Sequence, residues 1–146
     1  MAKFVFSMES MLRLKTRIEE QKEQEFAKAL KKLYEEQEVL QKMNVDKEFA
    51  IKKLKGDIGI KITPIEFGRL NRYIEFMKEK MEIQKTVIIK AEKFVEEKRL
   101  NLIEATKERK MLDKLKERKF EEYIDEEKKK EQKVVDEIVS YKYSEA

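Results

Sequence analysis

From Phe67 onward the apolar positions advance by three and then four residues: Phe67, Leu70, Ile74, Met77, Met81, Gln84, Ile88, Ala91, Val95, Lys98, Leu102, Ala105, Arg109 and Leu112. Only Gln84, Lys98 and Arg109 are polar in this series. A stripe repeating every seven residues is the pattern by which helices supercoil, knobs of one entering holes of another. An earlier stretch carries a weaker stripe through Phe26, Leu30, Leu33, Gln37, Leu40, Asn44, Lys47, Ile51 and Leu54. Phe4, Met8, Met11, Lys15, Ile18 and Lys22 lead into it, with a slip between Lys22 and Phe26 that reads as a stutter. Asn44 and Lys47 within the stripe either fix register or are tolerated near the surface.

Between the stripes lies KGDIGIKITPIE, Lys55 to Glu66. It holds the chain's only proline and two of its three glycines. Gly56 suits the left-handed residue that ends a helix. Thr63, Pro64 and Glu66 suit the start of another, as N-cap, first helical residue and closing carboxylate of a capping box. The fold expected is all-α: a long two-helix antiparallel coiled-coil hairpin forming one domain over residues 1–146. The first helix spans about 6–55, the loop 56–63 and the second helix about 64–140, with a frayed tail. The helices would measure roughly 75 Å and 115 Å at 1.5 Å per residue. Mirror symmetry about the loop sets Leu54 against Ile65 and Leu12 against Lys107. The second helix then overhangs its partner beyond about residue 115. In that overhang Asp125 to Lys133 has no large apolar side chain, and Val134, Val135, Ile138, Val139 and Tyr141 restore an apolar face with nothing in the chain to cover it.

Composition supports extended helix over a rounded core. Of 146 residues, 45% are charged, mean hydropathy is −0.78, and turn-forming residues are scarce. Regularly spaced large apolar residues argue against disorder. The longest purely aliphatic run, Val87–Ile88–Ile89, is far short of a membrane span, and no apolar signal core opens the chain. The chain has no cysteine and no histidine, so it carries no thiolate metal site and no Ser–His or Cys–His nucleophile. Three scattered glycines cannot build a phosphate-cradling loop. Carboxylates such as Glu121, Glu122, Asp125, Glu126 and Glu127 read as a solvated face, and the methionines as core fillers. No enzyme activity and no cofactor is expected. The net charge of +4 is spread as +3 over residues 1–63 and +1 over 64–146, with Lys and Glu interleaved. The tyrosines each have acids nearby, unlike a basic stacking groove, so nucleic acid is not an expected partner. A generic coiled-coil scaffold whose tail pairs with another copy, and a nucleic-acid or membrane-surface binder using Lys-rich faces, stay as alternative classes.

The opening MAKFVFSMESMLRLK, with Phe4, Phe6, Met11, Leu12, Leu14 and Lys15, resembles that of the bacterial flagellar export protein FliJ family. The later EQKVVDEI, with Glu131, Gln132, Lys133, Asp136 and Glu137, resembles that family's C-terminal signature. The resemblance covers essentially the whole chain. It implies a cytoplasmic component of the flagellar type III export apparatus, peripheral at the cytoplasmic face of the inner membrane with the flagellar base. Members form a hairpin similar to the rotor stalk of rotary ATP synthases. They insert into the hexameric flagellar export ATPase, promote its assembly and activity, contact the cytoplasmic domain of the export gate membrane protein, and in some cases escort export chaperones. The equivalent stalk of a virulence-type secretion system is a related alternative. A monomer is expected.

The sites expected follow from both lines of reading. Met8, Leu12, Glu131, Gln132, Lys133, Val135, Asp136, Glu137, Ile138 and Val139 at the open end are candidates for the ATPase. The family's gate patch, carried over through the loop without gaps, falls on Val39, Met43, Asp46, Ala50, Tyr73, Met77, Lys80 and Gln84. Tyr73 and Met77 keep the large apolar character expected there, from which Asp46, Ala50 and Lys80 depart.

Overall fold

The computed structural model describes residues 3–56, 59 and 61–145. They form two helices, α1 (Glu9–Leu54) and α2 (Pro64–Glu145), paired antiparallel as a hairpin. The turn chemistry read from the sequence is present. Gly56 takes φ +76° and its N–H donates to the Lys53 carbonyl, while the Lys55 N–H donates to Ile51, closing α1. At the other side the Glu66 N–H donates to Thr63 Oγ1 at 3.2 Å and the Thr63 N–H donates to Glu66 Oε2 at 3.4 Å, a reciprocal capping box. Gly59 also has positive φ, at +73°, and its N–H donates to the Gly56 carbonyl. Asp57, Ile58 and Ile60, within the expected loop, lie outside the described residues, as do Met1, Ala2 and Ala146.

Two helix boundaries differ from those expected. α1 starts at Glu9, not near residue 6, because the Glu9 N–H donates to the Phe6 carbonyl in a turn that precedes the helix. Residues 3–6 are therefore not on the helical phase. Phe6 is buried, whereas Met8 and Met11 are 38% and 42% exposed and Leu12 takes the core position instead. α2 continues to Glu145, past the expected end near residue 140.

The helices divide between two compact units. One is Lys22–Leu102. Its core is a ladder of Ala29, Ala50, Ile74, Met77, Met81 and Ile88, with Gln84 buried among them. Near the turn the packing is open: Phe67, the first residue of the stripe, is 46% exposed, and Ile65, just before it, 70%. The other unit combines Met1–Gln21 with Ile103–Ala146, over their described residues. Its core is Phe6, Leu12 and Ala105. The rings of Phe4, Phe120 and Tyr123 cluster, Phe4 lying 5.3 Å from Phe120 edge-on and 5.5 Å from Tyr123.

The register also departs from simple mirror symmetry, always in one sense. Glu25 meets Lys98, and Glu9 meets Lys116, several residues further along α2 than symmetry about the loop sets them. Helical side chains lean toward their own N-terminus. On antiparallel helices they lean in opposite directions along the common axis, so partners meet only when the α2 residue lies further from the turn. Leu12, between Glu9 and Lys15, whose partners are Lys116 and Glu108, is buried, whereas Lys107, which mirror symmetry sets against it, is exposed.

Candidate partner-binding surfaces

The polar interruptions of the α2 stripe all find acids on α1. In Lys22–Leu102, Gln84 Nε2 donates to the Glu36 carbonyl at 2.9 Å and to Glu36 Oε2 at 2.6 Å, while Lys32 Nζ holds Glu36 Oε1 at 2.9 Å. Hydrogen bonds from Gln84 and Lys32 keep the Glu36 carboxyl below the usual carboxylate range. Lys98 and Lys22 share Glu25, at 3.7 and 3.4 Å. In the other unit Arg109 Nε donates to both Glu19 oxygens at 2.9 Å and its Nη1 donates to Asp113. Desolvation opposes the Glu19 charge, but hydrogen bonds from Arg109 and Thr106 outweigh it and lower the pKa. No buried side-chain nitrogen or oxygen among the described residues lacks a partner. These rungs set register. Among the described residues Lys47, a polar residue of the α1 stripe, forms no such rung; its Nζ lies 3.9 Å from its neighbour Glu48.

The expected gate patch lies wholly within Lys22–Leu102 and divides in two. Val39 and Tyr73 are about two-fifths exposed, Asp46 and Lys80 are exposed, and Met43 is half-buried. Ala50, Met77 and Gln84 are core. Sequence reading missed a second stripe on α2, Tyr73, Phe76, Lys80 and Ile83, displaced by one residue from the seam and alternating three and four. Phe76 is 52% exposed with Lys80 Nζ 5.0 Å from its ring centre, and Ile83 is 67% exposed. It carries the same three-and-four spacing as the seam, one residue out of phase. A groove of about 320 Å³ nearby is lined by Lys53, Ile62, Glu66, Arg69, Leu70 and Tyr73.

The expected ATPase residues lie in the other unit. Leu12 is core and Met8 sits in the turn before α1, partly exposed. Glu131, Gln132, Lys133, Val135, Asp136, Glu137, Ile138 and Val139 come together on α2, where every described residue from 128 to 145 is exposed. With successive residues about 100° apart, Val135, Ile138 and Val139 share one side with Val134. Gln132 and Asp136, hydrogen-bonded at 3.0 Å, lie toward the other with Lys133 and Glu137. The candidates therefore surround the helix. The aromatic cluster of Phe4, Phe120 and Tyr123, unanticipated from spacing, precedes this bare segment.

Among the described residues no group of His, Cys, Asp and Glu is arranged to hold a metal, and no helix is long and apolar enough to cross a membrane. A family model described as "Flagellar FliJ protein" matches residues 4–146. No curated protein and no solved structure matches the chain.

Proposed function

This chain belongs to the flagellar FliJ protein family, a component of the flagellar export apparatus, and from that premise we propose that it is the non-enzymatic stalk of the hexameric export ATPase. In this reading the end of α2 beyond residue 127 enters the ring and stimulates ATP hydrolysis at the cytoplasmic face of the membrane. The observation that carries it is the bare helix itself. Val134, Val135, Ile138 and Val139 are each at least half exposed, and Lys133, Asp136 and Glu137 occupy the remaining sides of the same turns. A ring contacts a shaft from all sides. Covering the apolar side supplies affinity at roughly 25 cal/mol per Å² before association costs, and the charges set orientation. The exposed part of the gate patch, Val39, Asp46, Tyr73 and Lys80, together with Phe76, is the surface offered to the export gate and to chaperones.

The test is ATP hydrolysis by the cognate export ATPase with the full chain and with residues 128–146 deleted. The deletion spares Phe120 and Tyr123, so helicity of the remainder is retained. Stimulation is expected to be lost with the tail and kept when 56–63 is replaced by another flexible loop. Undiminished stimulation without the tail overturns the stalk reading.

A further inference from the structure

We propose that the bare end of α2 pairs with the same segment of a second copy, antiparallel and in one register. The basis is a self-complementary pattern on a single side of the helix. Val134, Val135, Ile138 and Val139 form its centre, exposed by 50 to 55%. A two-fold axis between Asp136 and Glu137 sets Val134 against Val139 of the second copy and Val135 against Ile138. The same operation sets Glu131 against Lys142 of the second copy, and Lys128 against Glu145. Opposite charges thus meet at both flanks in the one register that also centres the aliphatic residues. Moving the axis by one turn either way puts Val or Ile against a charge. Isologous pairing requires such self-complementarity, and a segment recognised only by a different protein has no need of it.

The surface is physically available. All of these residues are exposed, and a shallow groove lined by Lys130, Glu131, Val134 and Val135 runs along it. Asp136 and Glu137 point away from the paired side. Four aliphatic residues per copy make a small interface, below the roughly 1,200 Å² total of stable complexes. Pairing is therefore weak and concentration-dependent. It engages one side of the helix, which a surrounding partner would also cover, so the two states exclude each other. The pairing itself does not depend on the stalk reading.

Sedimentation equilibrium of the full chain tests it, across a wide concentration range at low salt. A reversible monomer–dimer equilibrium is expected. Lys142→Glu faces Glu131 of the second copy at both flanks and should weaken the dimer about tenfold or more. Adding Glu131→Lys to the same chain restores opposite charges and should restore association. Because these side chains are solvent-exposed, circular dichroism should show unchanged helicity in each variant. A chain that stays monomeric throughout, or a dimer that survives Lys142→Glu, overturns the proposal, as does a double variant no better than the single one. Monomer at every concentration, with the tail still required for ATPase stimulation, would assign the apolar face to the heterologous partner alone.

Discussion

Gly56 ends α1 at φ +76°, and no heavy atom stands within 4 Å of where a Cβ would be. The obstacle to a side chain there is the backbone conformation alone, costing about 1 kcal/mol for alanine. Gly68 is within α2, has ordinary helical φ, and is equally open. Alanine there removes a helix-weakening residue and should stabilise by about 0.5–1 kcal/mol. Urea unfolding of Gly56→Ala and Gly68→Ala should therefore move the midpoint in opposite directions. Movement in the same direction would mean the turn is not what constrains Gly56. Residues with this much meaning were legible in the sequence because turn and cap chemistry is local: Gly56, Thr63, Pro64 and Glu66 need only their neighbours.

The two helices are joined by ion pairs whose pH dependence has a definite sign. Glu19 has its pKa lowered from 4.5 in the folded state, through Arg109 and Thr106 against opposing desolvation, and Glu25 and Glu36 are lowered as well. A carboxyl with a depressed folded pKa contributes stability that is fully present above its unfolded value and is lost as pH falls through the folded one. Melting followed by helical circular dichroism should stay level down to about pH 4.5 and then fall. Glu19→Gln should melt lower at neutral pH and show a shallower acid limb. An unchanged acid limb would mean that the Glu19–Arg109 pair does not contribute to it. Stripe periodicity exposed the positions of Gln84, Lys98 and Arg109 but not their partners Glu36, Glu25 and Glu19, because register depends on side-chain lean that spacing does not encode. The aromatic cluster was hidden for a different reason. Phe4 lies before α1 begins, so a stripe extended by helical phase puts Met8 and Met11 where Phe6 and Leu12 belong.

At the level of the whole chain, 35 basic and 31 acidic residues are interleaved, many in pairs three or four apart such as Arg99 with Glu96 and Lys85 with Glu82. Local pairing cancels most attraction to a phosphate backbone. Duplex DNA binding should be weak and should vanish by about 150 mM salt; tight binding there would restore the nucleic-acid class. The ties between the helices carry a further consequence, for the order in which the chain folds. Glu36 and Gln84 are 48 positions apart, Lys15 and Glu108 are 93, and Phe4 and Phe120 lie further apart still. Formed first, the outermost contact must enclose the largest unfolded loop; formed after the inner ones, it adds only a short step. Assembly therefore zips outward from the glycine turn. During synthesis the amino-terminal phenylalanines wait, unsatisfied, until almost the last residues of the hairpin have emerged.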